Sequence, residues 1–385
     1  MKPKTLMLIA GEASGDLLAA ELVSALREKL PDAKFFGAGG SKMIGTGVEL
    51  AFDLTQHAVI GMSDVLKNYF KFRRLFNQLL KLAIERQPDA IIGVDFGGFN
   101  LRFGHAIKEY VRNNPFSKWN PKIVQFVSPQ VWASRPGRAN LLAADYDLLL
   151  SIFPFEKDWY AQRVPKLRVE FVGHPMVERM QKSEVRSQKS GISAASPKIL
   201  LLPGSRPDEL RRHLPVMLGA LKLIQEKSPA GRAKMVLPNR ALKIIANRLS
   251  MLQPDVEIQV GELPKALAEA DVAIASTGTV TMECAFFGVP TVTLYKTSWL
   301  TYQIGKRIVT VKSLTMPNLL ANGEVFPEFV QNAATPENIS HAALELLQNE
   351  SRRAQIKSRL AEIVSQLGGS GASERAAAAI LGLFP

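Results

Sequence analysis

Three times along this 385-residue chain an apolar strand runs straight into a loop of small residues and then into a helix. Leu6–Ala10 leads into Gly11-Glu12-Ala13-Ser14-Gly15-Asp16. Lys198–Pro203 leads into Gly204-Ser205-Arg206, and Asp271–Ala275 into Ser276-Thr277-Gly278-Thr279, with Glu283 one turn further on. Such a junction turns backbone N–H groups and the positive end of a helix dipole toward one point, which suits phosphate. The first junction lies in the N-terminal half and the other two in the C-terminal half. That division points to two lobes facing a nucleotide-sized cleft, and to an enzyme that handles a phosphorylated donor.

The fold class follows from the rhythm between the junctions. Strand-like runs such as Ala90-Ile91-Ile92-Gly93-Val94 are apolar almost without interruption, as expected of strands covered on both faces in a parallel sheet. They alternate with helical patterns, predicting an α/β protein of two doubly wound, Rossmann-like domains. The polar stretch Gln181–Gly191 has no periodic apolar face and reads as a linker or loop insertion. The expected division is a domain over 1–178, a linker over 179–197, a second domain over 198–365 and a last helix over 366–385.

Hydrophobic residues make up 46% and charged residues 22%, the balance of a globular chain. Cys284 is the only cysteine, which rules out an internal disulfide and agrees with a reducing, cytoplasmic compartment. It lies within an apolar run and reads as a packed thiol. The apolar N-terminal stretch ends at Glu12, too soon for a secretory signal, and no run is long enough to span a membrane. The net charge of +13 asks for an anionic partner, but it is spread over both halves and no nucleic-acid motif accompanies it. A phosphorylated substrate or an acidic membrane surface explains it more simply.

Glu12 and Asp95 are the candidate bases, because each stands at the carboxyl end of an apolar strand, where open α/β sheets seat ligands. Ser276–Thr279 can seat a diphosphate, Glu283 can accept both hydroxyls of a ribose, and Arg206 offers a planar cation to phosphate oxygens. No P-loop is present, and Gly37-Ala38-Gly39-Gly40 fails the dinucleotide pattern at Lys42. Asp145-Tyr146-Asp147 has the form of a metal-binding pair, yet nothing nearby completes a site, and the five histidines lack ligand spacing. His174 either lines the cleft or packs. From Met62 to Leu82, apolar residues at helical spacing interleave with Lys67, Lys71, Arg73 and Arg74. Val65, Leu66, Tyr69, Phe70, Phe72 and Phe76 are the residues expected to touch membrane or acyl chain, against the alternative of an ordinary core helix.

Along nearly its whole length the chain resembles the bacterial lipid-A-disaccharide synthases, inverting glycosyltransferases of GT-B fold. The matching stretches are Ala10–Asp16, Gly93-Val94-Asp95 with Phe99-Asn100, Ser128–Ala133, Pro154-Phe155-Glu156 and Gly173–Met176. Leu202–Arg206, Ser276–Cys284 and Met316–Ala321 complete the set. The resemblance implies transfer of 2,3-diacylglucosamine from UDP-2,3-diacylglucosamine to the 6-hydroxyl of 2,3-diacylglucosamine 1-phosphate, giving a β-1,6-linked disaccharide phosphate and UDP. It implies single displacement without metal or other cofactor. Catalytic roles fall on Glu12, Asp95 and Arg206. Substrate contacts fall on Ser14, Gly204, Ser205, Ser276, Gly278, Thr279, Glu283 and Asn318. The Met62 segment becomes a docking patch for the anionic inner membrane, on its cytoplasmic face, and the last helix either packs back or exchanges between subunits of a homodimer. One departure stands out: many members carry Asp-Ala-Pro-Asp-Phe-Asn where this chain has Asp95-Phe96-Gly97-Gly98-Phe99-Asn100. Another transferase or epimerase acting on a soluble nucleotide sugar, and a nucleotide-binding membrane scaffold, are the rival readings.

Overall fold

Near-continuous Val, Ile and Leu runs leave these strands no polar face, so each must be covered on both sides. The computed structural model, which describes residues 3–55, 69–182, 197–249 and 256–384, shows this in two units. The first spans 1–178 and 367–385, the second 179–366.

In the first unit seven strands form one sheet in the order β3-β2-β1-β4-β5-β6-β7. They are β1 (Thr5–Ala10), β2 (Lys34–Gly39), β3 (Glu49–Asp53), β4 (Ala90–Val94), β5 (Lys122–Phe126), β6 (Leu148–Ser151) and β7 (Val169–Phe171). Every pairing is parallel. All five residues of β4 are buried, so each large side chain there stabilises the fold by roughly 1.5–3 kcal/mol. The chain winds outward from β1 through β2 to β3, then returns to lay β4 on the other side of β1. Loops after β1 and β4 therefore leave in opposite directions, and the crevice between them is where doubly wound sheets take ligands.

The second unit repeats the plan with six parallel strands in the order β10-β9-β8-β11-β12-β13. They are β8 (Lys198–Leu202), β9 (Arg232–Leu237), β10 (Val256–Val260), β11 (Val272–Ser276), β12 (Thr291–Tyr295) and β13 (Glu328–Val330). Its reversal falls between β8 and β11.

Some elements differ from expectation. The edge strands β3 and β13 are short and carry charged ends, so neither shows a continuous apolar run. The helix Met176–Lys182 reaches into the stretch expected to be linker, and 183–196 lies outside the described residues. The helix expected from Met62 is described over Tyr69–Arg86, while Val65 and Leu66 lie outside the described residues. The final helix, Ala372–Leu381, packs on Ala13–Lys29 within the first unit. There Arg375 donates to the carbonyls of Val172, Gly369 and Ser370. Among the described residues no helix is long and apolar enough to cross a membrane.

Candidate active site

The residues expected at the two reversal points are held there by different means. In the first unit Ala10 of β1 sits opposite Val94 of β4, so Glu12 and Asp95 follow adjacent strand ends. Gly15 makes this neighbourhood tight: a Cβ there would lie 3.3 Å from the Val94 carbonyl and 3.5 Å from Cβ of Asp95. Glu12 holds the N-cap position of Ala13–Lys29 in extended backbone, half-buried, and its carboxylate does not cap the helix. Ser14 is exposed on the first turn. Asp16, by contrast, is structural: it is buried and accepts from the N–H groups of Gly40, Lys42 and Met43, capping the neighbouring helix Ser41–Gly45.

Asp95 leaves β4 with φ +51°, followed by Phe96 at +46°, two consecutive left-handed residues that are not glycine. Such backbone costs about 1–3 kcal/mol per residue and persists only where its surroundings over-determine it. Here two buried amides do so. Asn100 Nδ2 and Gln125 Nε2 both donate to the Asp95 carbonyl, at 2.9 and 2.8 Å. In directing their N–H groups there, Asn100 Oδ1 and Gln125 Oε1 are left buried with no partner. Burial raises the Asp95 carboxyl above the ordinary aspartate value, with the Phe96 N–H pulling it back down. Gln125 carried no sequence signal, since a polar residue inside a strand reads as an interruption. At Gly98 a Cβ would meet nothing within 4 Å, so this chain lacks the second carboxylate without filling its place.

In the second unit β11 ends at buried Ser276 and passes into Gly278, whose φ of +145° few L side chains adopt. Gly278 and Thr279 are exposed at the head of Thr279–Phe286, where first-turn N–H groups lack helical acceptors. One turn on, burial pushes the half-buried Glu283 carboxyl up to about 7, with Arg179 pulling it back down.

The loop after β8 differs from expectation. The Ser205 and Arg206 N–H groups donate to Glu209 Oε2 at 3.0 and 3.3 Å, and Arg206 Nη1 lies 3.3 Å from Glu209 Oε1. Glu209 thus takes the anion seat that Gly204 and Ser205 were expected to offer phosphate. Gly204 stands against it, for a Cβ there would lie 2.6 Å from Glu209 Oε2. The Arg206 side chain is half-exposed beside Glu209. Behind the loop, buried His213 donates from Nδ1 to the Pro203 carbonyl at 2.9 Å and accepts at Nε2 from the Lys296 N–H at 3.0 Å. Burial holds it below the ordinary histidine value, so the neutral ring ties the loop after β8 to the one after β12.

Asn318 is bonded within its own loop. Its Nδ2 donates to the Phe326 carbonyl and Glu328 Oε1, and its Oδ1 accepts from Val325 and Phe326 N–H, all at 2.8 Å. All four bonding positions of the amide are used, so it closes the 315–328 loop. The half-buried Phe76 ring meets Phe99 at 5.3 Å and Phe103 at 5.5 Å in edge contacts within the first unit. The 3.6-residue period aligns it with buried Leu79 and Ala83. Phe72 is half-buried, and Phe70 is 78% exposed beside a shallow hollow lined by Arg73, Arg74, Asn77, Gln78 and Lys81.

Several other stretches of the resemblance serve the scaffold. Trp132 Nε1 donates to Glu156 Oε1 at 3.0 Å, and burial pushes that carboxyl up to about 7. His174 is buried, accepts from Met176 N–H and packs with its ring tilted against Phe153. Asp145 pairs with His105 and Arg112, and Asp147 with Lys108 and Lys122. Among the described residues no three His, Cys, Asp or Glu side chains form a metal set. Cys284 is fully buried, its thiol pushed up to about 12.

Two doubly wound parallel sheets, each with a reversal point in its strand order, define the GT-B fold. The glycotransferase of kitacinnamycin superposes on it with a TM-score of 0.62 over 100% of both chains at 18% identity, a likeness of fold. The model of the lipid-A-disaccharide synthetase family matches residues 6–382, and the chain belongs to that family. It is 34% identical over 387 residues to the lipid-A-disaccharide synthase of Myxococcus xanthus (strain DK1622), covering 100% of this chain and 98% of that one. With the same enzyme of Trichlorobacter lovleyi it shares 35% over 389 residues, covering 99% and 98%.

Proposed function

We propose that the protein transfers 2,3-diacylglucosamine from its UDP derivative to the 6-hydroxyl of 2,3-diacylglucosamine 1-phosphate, in lipid A biosynthesis. The acceptor oxygen attacks C1 of the donor sugar as the bond from C1 to the diphosphate oxygen breaks. Configuration inverts, UDP leaves with the bonding pair, and the hydroxyl proton passes to a carboxylate. Asp95 is that base and Glu12 its neighbour at the same reversal point. Arg206 meets the charge developing on the diphosphate, the Ser276–Thr279 loop seats it with backbone N–H groups, and Glu283 accepts the ribose hydroxyls. No metal takes part in this reading.

The single observation that carries the assignment of the base is the Asp95 turn, strained, half-buried and held by two buried amides. Exposed Phe70 with Lys71, Arg73 and Arg74 makes the docking patch by which the enzyme sits on the cytoplasmic, anionic face of the inner membrane. Incubation with UDP-2,3-diacylglucosamine, with and without acceptor, is the test. Equal amounts of UDP and disaccharide phosphate are expected. UDP appearing without disaccharide would assign the protein to different sugar chemistry.

A further inference from the structure

The helix Trp299–Ile308, in the second unit, is built unlike the others. It contains Trp, Leu, Tyr and two Ile, yet none of its residues is buried. Trp299 is 73%, Leu300 64% and Ile304 44% exposed, and Leu314 beyond the helix is 37% exposed. Lone helices shorter than about 12–15 residues are marginal in water, and helices in proteins draw most of their stability from a covered apolar face. Among the described residues nothing buries the apolar face of this one.

Charge indicates the kind of cover. From Cys284 to Gly323 the chain contains no Asp or Glu, only Lys296, Lys306, Arg307 and Lys312. Lys296 turns inward, donating to the carbonyls of Gln331 and Ala334. The other three cations are exposed, and among the described residues none of them is ion-paired. At 100° per residue, Lys306 and Arg307 fall on the same side of the helix as Trp299, Leu300 and Ile304. Aromatic and aliphatic side chains interleaved with cations suit an interface that is apolar within and anionic at its rim.

We infer that the helix Trp299–Ile308, with Lys312 and Leu314, is a docking surface of the second unit for an anionic lipid bilayer. Trp299, Leu300 and Ile304 enter the headgroup boundary, while Lys306, Arg307 and Lys312 meet lipid phosphates. The Phe70 patch belongs to the first unit and this surface to the second, and the inference does not depend on which carboxylate acts as base.

The experiment is co-sedimentation of the full chain with vesicles of phosphatidylcholine alone or mixed with phosphatidylglycerol. It compares the parent protein with Trp299→Ser/Leu300→Ser/Ile304→Ser and with Lys306→Gln/Arg307→Gln. The apolar variant is expected to lower partitioning onto anionic vesicles about tenfold or more. The charge variant should lower it several-fold and flatten its salt dependence. Turnover of detergent-dispersed substrates stays within about twofold in both, which separates lost docking from a failed transferase reading. Unchanged partitioning of both variants overturns the inference. So does lost turnover in detergent with vesicle binding intact, which would make the helix a contact for substrate acyl chains. A dimer dissolved by the apolar variant, with vesicle binding unchanged, would assign the face to a second copy.

Discussion

The two reversal points solve opposite problems. Between β1 and β4 the site must aim one side chain, and it does so with strained backbone at Asp95 and Phe96, fixed by buried amides. Between β8 and β11 the site must expose main chain and a cation, using Gly278, the head of a helix and Arg206. On the proposed reading a base tolerates little displacement, and the first site is internally bonded to match. A diphosphate would meet several dispersed groups, so Glu209 can occupy one seat without closing the site.

That contrast can be broken experimentally. Asp95→Asn should have the largest effect, lowering kcat about 10³-fold while UDP binding measured by calorimetry stays unchanged. Full turnover in this variant would remove the base assignment. Arg206→Ala comes next, at about 10²-fold in kcat/KM with the pH profile preserved, because it removes charge and no titrating base. Asn318→Ala strands the Val325 and Phe326 N–H groups in a buried loop and should cost about 2–3 kcal/mol in denaturant unfolding. A normal unfolding midpoint with lost activity would make Asn318 a ligand. Gln125→Leu should lower kcat about tenfold with KM nearly constant. Its effect should vanish in the Asp95→Asn background if Gln125 acts through that residue. The smallest effect concerns Glu283, whose carboxyl near 7 is ionised above that pH and protonated below it. Donor KM should therefore rise several-fold as pH falls below 7, and Glu283→Gln should remove that dependence.

The clearest strand–loop–helix junctions were legible because they depend on local properties, an apolar run followed by small residues. The long stretches shared with the family were legible too, yet their meaning was mixed. Trp132, Glu156 and His174 lie within them and serve packing. Asn318 lies within them as well, and its amide clasps its own loop. Periodicity could not separate Phe76, which packs on Phe99 and Phe103, from Phe70, which faces solvent, since both lie on one apolar-rich helix.

By itself, then, the amino-acid order determined the α/β alternation, the division into two Rossmann-like halves, and the loops where ligands belong. These rest on hydrophobic periodicity and backbone chemistry, which act over a few residues. Tertiary structure alone decided which polar groups are already satisfied. It turned Glu209 into the occupant of an anion seat, aimed Gln125 at the carbonyl of a residue thirty positions away, and left the face of Trp299–Ile308 uncovered. Hydrogen-bond satisfaction and burial depend on partners distant in sequence, and only the folded chain brings those together.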